Sequence, residues 1–371
     1  MTEATKRPRG KETAEGRLRV LVVDDSPVAR AVLRSILESD PAIEVVGLAR
    51  NGWEAVQMTA RLRPDVITMD VRMPEMDGVH ATEYIMAYYP TPILVVTASL
   101  AKEDVDFSFR MLEAGALDIF EKPGGDDPVA LRACARALVE RVRLLARVRV
   151  ITHLRGRRRG KSTPPLEARE AVPQLVPNQG PGRLVVIGAS TGGPKALQRV
   201  LSALPGHFPA PILVVQHIAS GFIQGMCDWL AGEIRLPIAV ARDGEELVPG
   251  RVYVAPENRH IVPEAHRIRL SERPKSSPMP SVDVTMQAAA EVFGARTVGV
   301  LLTGMGSDGA QGLLAIYKAG GRTIAQNQAT CTVFGMPRTA IELGAVQKVL
   351  PLEEIAPALL EAVSADVTVT G

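Results

Sequence analysis

Three short apolar runs in the second half of the chain each lead into a residue type that does chemistry. Leu184–Ala189 runs into Ser190, the run 211–216 into His217, and 298–302, by way of Thr303-Gly304-Met305-Gly306-Ser307, into Asp308. Uncharged runs this short read as strands buried on both faces of a parallel sheet. In open parallel sheets, sites form beyond the carboxyl ends of the strands. The pattern therefore predicts an α/β domain in which a hydroxyl, an imidazole and a carboxylate share one sheet edge, provided the three strands are neighbours.

The first half alternates in the same way. Apolar runs at 20–23, 45–48, 65–69, 93–97 and 117–120 are separated by helical patterns. The first of these helices carries Val28, Val32, Leu33, Ile36 and Leu37 as its apolar residues. Five such units imply a parallel sheet covered on both faces. A chain of 371 residues has room for two to three domains. The expected division is a disordered tail over 1–16, a first domain over 17–140, a linker over 141–182 and a second domain over 183–365. The linker begins with the basic cluster at 155–161 and is rich in Arg, Gly, Pro and Gln, too poor in apolar residues to form a core. The fold class expected is thus α/β, with two doubly wound parallel-sheet domains joined by a flexible linker.

Several function classes are disfavoured. A formal net charge of +2 and 4% aromatic residues give neither the electrostatic footprint nor the stacking platforms of a nucleic-acid binder. Cys134, Cys227 and Cys331 are far apart and lack metal-ligand spacing, which suits a reducing compartment. The polar N-terminus lacks a signal-peptide core, and no run approaches the roughly 18 apolar residues of a membrane span. A cytoplasmic location with no direct membrane insertion is expected.

In the first domain, Asp24 and Asp25 follow the first strand and Asp70 the third, while Thr97 ends the fourth and Lys122 follows the fifth. The doubly wound fold gathers all five at one edge. Three adjacent carboxylates repel one another, and a hard cation such as Mg²⁺ relieves this with oxygen ligands. One carboxylate can then accept a phosphoryl group, whose oxygens Thr97 and Lys122 are placed to hold. This set resembles the response-regulator receiver domain over roughly residues 18–140, and the segment 69–78 looks like its phosphorylation loop, with Asp70 as the acceptor.

In the second domain, Gly188-Ala189-Ser190-Thr191-Gly192-Gly193-Pro194 joins a strand to a helix bearing Ala196, Leu197, Val200, Leu201 and Leu204. A G-x-S-x-G at such a junction suits a nucleophile elbow. The order Ser190, His217, Asp308 departs from the Ser, acid, His order of α/β-hydrolases. That order would instead require Asp243 to pair with His260 or His266. Among the histidines, His260 is the serious competitor to His217. Serine needs a base, and Asp308 would orient His217 and stabilise its cation. The Gly192-Gly193 pair would admit substrate closely, and N–H groups of the following helix would serve an oxyanion. The Gly304–Gly309 stretch lacks the ending of a P-loop.

Taken whole, the chain resembles the chemotaxis response-regulator protein-glutamate methylesterases (CheB type). The matching segments are 188–193, Gln216-His217, Val254-Ala255-Pro256 with Asn258-Arg259-His260, Pro280-Ser281-Val282-Asp283, 302–309 and 334–337. The resemblance implies Ser190, His217 and Asp308 as the triad, with Thr191 beside it and the Met305 backbone at the oxyanion site. It also implies removal of methyl groups from glutamate methyl esters on chemoreceptors, deamidation of receptor glutamines, and a receiver that covers the site until a partner histidine kinase phosphorylates it. Mg²⁺ is expected for the receiver and no cofactor for the hydrolysis. Met279, Glu257 and Asn327 depart from the family's pattern, and bear on receptor preference rather than on the chemistry. A hydrolase of some other ester and a non-catalytic scaffold are the alternative functions.

Overall fold

A computed structural model gives the protein's structure and describes residues 16–98, 102–124, 127–150, 182–275 and 278–364. The expected tail, apart from Gly16, and residues 151–181 of the expected linker, with the basic cluster, lie outside the described residues.

The first domain runs β1 (Leu18–Val23), α1 (Pro27–Glu38), β2 (Ile43–Ala49), α2 (Gly52–Leu62), β3 (Val66–Met69), α3 (Gly78–Tyr88), β4 (Ile93–Thr97), α4 (Lys102–Ala114), β5 (Asp118–Glu121) and α5 (Pro128–Leu145). Its five strands are parallel in the order β2-β1-β3-β4-β5. The order reverses between β1 and β3, which opens a crevice at their carboxyl ends, where Asp24 and Asp70 stand. Of the apolar residues assigned to α1, Leu33 and Leu37 are buried, whereas Val28 and Val32 are exposed. At 100° per residue the five span about 180°, too wide an arc for a half-buried helix, so those on one flank meet solvent. The helix α5 continues through Leu145, beyond residue 140.

The second domain comprises β6 (Leu184–Ala189), α6 (Gly193–Ser202), β7 (Ile212–Gln216), α7 (Ile223–Glu233), β8 (Ile238–Val240), β9 (Val252–Val254), β10 (His260–Pro263) and β11 (Ile268–Ser271). There follow α8 (Val282–Phe293), β12 (Thr297–Leu301), α9 (Ala310–Lys318), β13 (Arg322–Gln326), α10 (Met336–Glu342), β14 (Lys348–Leu350) and α11 (Leu352–Ser364). Seven strands form a parallel sheet in the order β14-β13-β12-β6-β7-β9-β8, and β10 pairs with β11 in an antiparallel hairpin. The three apolar runs are therefore neighbours, with β6 between β7 and β12. The chain leaves β6 toward β7 and later returns to the other flank of β6 as β12, making a second switch point. Val185, Ile187, Val214, Val298 and Val300 are buried in one face of this sheet, and Leu184, Val186, Leu213, Val215 and Leu301 in the other.

The two domains pack on one another through α4 and α7. The Phe109 ring stacks on Trp229 at 5.4 Å between centroids and meets Phe222 edge-on at 6.5 Å. Trp229 Nε1 donates to Glu113 Oε1 at 2.6 Å. Gly225 lies so close to the first domain that a Cβ there would fall 2.1 Å from Val105 Cγ1.

Candidate active site

Strand register sets the framework of the site. Ala189 is paired with Gln216 across β6 and β7, so Ser190 and His217 occupy the next position on adjacent strands. On the other flank Ser190 N–H donates to the Thr303 carbonyl at 3.0 Å. Gly304 packs so tightly on the serine that a Cβ there would lie 2.8 Å from Ser190 Cβ. Beyond it the loop carries Met305, which is partly exposed, and then Asp308. His217 Nε2 lies 3.0 Å from Asp308 Oδ2, within ion-pair distance but without the alignment of a hydrogen bond. Among the described residues no hydrogen bond joins Ser190 Oγ to His217.

Asp308 is held by the N-terminus of α8. Its Oδ2 accepts the Val282 N–H at 2.7 Å, and its Oδ1 accepts Ser281 Oγ–H at 2.8 Å and the Asp283 N–H at 3.1 Å. A helix N-terminus favours an anion because its unpaired N–H groups and dipole both point at it. Burial alone would raise the carboxyl group's pKa. His217, the Val282 N–H and the Ser281 hydroxyl outweigh burial and hold it below the ordinary carboxylate range. The Pro-Ser-Val-Asp segment thereby gains a physical reading. Ser281 caps α8, Val282 packs where a Cβ on Gly188 or Gly309 would intrude, and Asp283 accepts the Gly312 N–H at 2.6 Å.

Sequence reasoning gave two features roles that the geometry revises. Gly192 and Gly193 face protein: a Cβ on Gly192 would strike Thr332 Oγ1 at 2.4 Å, and one on Gly193 would strike Gln216 Oε1 at 2.0 Å. Gly192 also has φ of +75°, which favours glycine. The Gly193 N–H, at the start of α6, donates to Ser190's own carbonyl at 2.7 Å, so it is committed within the turn. His260, the competing histidine, is fully buried and has contacts at both ring nitrogens, with Pro274 O at 2.8 Å and Ser281 N at 3.1 Å. Asp243 accepts the Leu270 N–H, and exposed His266 lies in the β10–β11 turn. Cys331 is no rival nucleophile, since burial pushes its thiol up to about 12.

In the first domain, Asp24, Asp25 and Asp70 each bring a carboxylate oxygen within 4.8 Å of the others. Lys122 Nζ is 2.6 Å from Asp24 Oδ2 and 2.8 Å from Asp70 Oδ2. Burial, with Asp24 nearby, raises the Asp70 carboxyl against the pull of Lys122. Thr97 is buried at the end of β4, and its carbonyl accepts the Lys122 N–H at 2.8 Å. Asp24 Oδ2 is buried without an aligned hydrogen-bond partner. An all-oxygen donor set with such an atom fits a hard divalent cation.

Two family models divide the chain: CheB methylesterase matches residues 185–359, and the response regulator receiver domain matches 20–133. Protein-glutamate methylesterase/protein-glutamine glutaminase 2 of Anaeromyxobacter dehalogenans is 48% identical over 93% of this chain and 96% of its own. The chain belongs to the CheB methylesterase family. A second CheB relative, protein-glutamate methylesterase/protein-glutamine glutaminase 4 of Geobacter metallireducens, is 43% identical over 92% of this chain and 98% of its own. The crystal structure of the Thermotoga maritima CheB methylesterase catalytic domain is 42% identical, covering 48% of this chain and 98% of that one, with a TM-score of 0.48.

Three residues of this CheB chain escaped sequence reasoning. Gln216 Nε2 donates to both the Ser190 and the His217 carbonyls, at 2.8 and 2.7 Å, and so clamps the two strand ends together. Arg141, on α5, pairs with Asp118 of the receiver and also donates to Thr191 Oγ1, beside the serine. Glu257 accepts Ser220 Oγ–H at 2.6 Å and the Gly221 N–H at 2.5 Å, which straps the loop that follows His217. Gln216 carried a signal as part of the Gln216-His217 match and Glu257 as a departure from the family's pattern, though neither showed the contact it makes, and Arg141 carried none.

Proposed function

We propose that this chain is a phosphorylation-gated protein-glutamate methylesterase, with glutaminase activity by the same chemistry. The observation that carries the reading is the His217–Asp308 pair, 3.0 Å apart, on the strand end next to Ser190. With Nε2 turned to the Asp308 anion, Nδ1 is left to take the Ser190 proton. Ser190 Oγ attacks the ester carbonyl, and the tetrahedral oxyanion is met by the Met305 backbone with Thr191 in support. As the C–O bond breaks, His217 returns the proton to the departing methoxide, and methanol leaves an acyl-serine. Water, deprotonated by His217, then attacks the acyl carbonyl. As the C–Oγ bond breaks, His217 returns the proton to Ser190 Oγ, freeing the glutamate side chain, which ionises in solvent. With a glutamine substrate the first leaving group is ammonia instead.

Gating is supported by the docking of the receiver on the hydrolase domain. The receiver's α4 packs on α7 close to the His217 loop, and Arg141 reaches Thr191. Phosphorylation of Asp70, with Thr97 and Lys122 holding the phosphoryl oxygens, would favour a receiver conformer that fits this surface less well. Asp24, Asp25 and Asp70 are the residues that would hold Mg²⁺. When bound, such a cation offsets the negative charge that the carboxylates and an incoming phosphoryl group bring together. The partners of this reading are a chemotaxis histidine kinase as phosphodonor and methyl-accepting chemoreceptors as substrate, in the cytoplasm. Among the described residues no helix is long and apolar enough to cross a membrane.

Methanol release from a methylated receptor fragment tests the reading. Ser190→Ala is expected to abolish it, and Asp70→Asn to keep basal release but lose stimulation by a phosphodonor. Undiminished release by Ser190→Ala would sink the assignment of the nucleophile.

A further inference from the structure

We infer that His260 is a positioning residue for the hydrolytic centre, acting through Ser281 on Asp308. The inference rests on the proposed role of Asp308. The Ser281 peptide N–H can only donate, and it meets His260 Nδ1 at 3.1 Å. Nδ1 is therefore the unprotonated nitrogen, so Nε2 carries the proton and donates to the Pro274 carbonyl at 2.8 Å. Either of the ring's other protonation states would set one N–H against another. With both nitrogens engaged, this ring is not a base in waiting.

What it holds is the residue on which the Asp308 cradle begins. Ser281 caps α8 by accepting the Val284 N–H, and its hydroxyl donates to Asp308. The next two peptide N–H groups, from Val282 and Asp283, go to the same carboxylate. Among the described residues, the three hydrogen-bond donors to Asp308 thus all come from the segment 281–283 that His260 pins at its first residue. One residue along β10, the Ile261 carbonyl accepts Thr285 Oγ1–H at 2.8 Å, so the hairpin grips the start of α8 at two successive positions. If the segment shifts, Asp308 moves with it, and His217 loses its partner's position. A misplacement of about 1 Å at a reacting group costs on the order of 10²-fold in rate.

The test measures kcat and KM for methanol release by the full-length chain under saturating phosphodonor. His260→Leu is expected to lower kcat on the order of 10²-fold, with KM within about twofold of wild type. His260→Asn, whose Oδ1 can stand in for Nδ1, should recover roughly tenfold or more of that loss. Because His260 acts only through Asp308, adding His260→Leu to Asp308→Asn should cost less than about threefold further. Wild-type kcat in His260→Leu, an equal loss in both backgrounds, or no recovery in His260→Asn would overturn the inference. Should His260→Leu fail to fold, Ser281→Ala serves instead. It removes one donor to Asp308 and should lower kcat roughly tenfold, and a wild-type kcat there overturns the inference equally. Full kcat in Asp308→Asn would instead overturn the triad itself. Inactive Asp308→Asn with unimpaired His260→Leu would overturn only the role of His260.

Discussion

Replacing Gly225 with alanine drives a wedge between the two domains. The added Cβ would sit 2.1 Å from Val105 Cγ1, against the 3.4 Å at which ordinary contact begins. To relieve this, α7 and α4 must separate by about 1.3 Å, the difference of those two distances, or Val105 must leave its rotamer. The second route costs of order 1 kcal/mol, and overpacking a fitted contact costs about 1–3 kcal/mol. Separation also loosens the Phe109–Trp229 stack, itself worth about 0.5–1.5 kcal/mol beyond area burial. The docked state should therefore lose about 1–3 kcal/mol, which is roughly 5- to 150-fold in the docked-to-free ratio. Alanine in place of glycine inside α7 favours the helix by about 0.8–1 kcal/mol in both states, so the hydrolase domain itself is not weakened. Methanol release by unphosphorylated Gly225→Ala should rise toward the phosphorylated level, and stimulation by phosphodonor should shrink by the same factor. Basal release and stimulation both at wild-type values, in a variant with unchanged thermal stability, would refute the claim that this contact gates the site.

Glu113→Ala removes the acceptor of the Trp229 N–H and should raise basal release about tenfold, since a half-buried hydrogen bond to a charged group is worth about 1.5 kcal/mol. Asp308→Asn should lower kcat on the order of 10⁴-fold. The same substitution should also change the acid limb of stability. The folded-state pKa of Asp308 is depressed, so its contribution is present above the unfolded carboxylate value and lost as pH falls through the folded one. Denaturation midpoints followed downward through that window should fall less steeply in Asp308→Asn than in wild type. Asp70→Asn has the opposite sign. Burial raises the Asp70 pKa, so its charge opposes folding at neutral pH, and removing that charge should raise the receiver's melting temperature near pH 7.

Local pattern was enough for the two parallel sheets, because a buried strand writes a short apolar run and an amphipathic helix writes a stripe. It also put Ser190, His217 and the acidic set with Lys122 at strand ends, since chain direction alone puts the residue after a parallel strand at the carboxyl edge, and it put Asp308 on the loop leaving that edge after β12. Strand order was another matter. That β6 lies between β7 and β12 depends on which crossover goes to which side, a choice made by the packing of whole helices. The width of the α1 stripe misled for the same reason: the burial of Leu33 and exposure of Val28 are decided by the sheet beneath. Contacts between residues far apart in sequence left no periodic trace at all. His260 under Ser281, Gln216 across two strand ends, and Arg141 spanning Asp118 and Thr191 are ordinary polar residues until the fold brings their partners to them. Hydrogen bonds reach about 3 Å, and only tertiary structure says what stands within that distance.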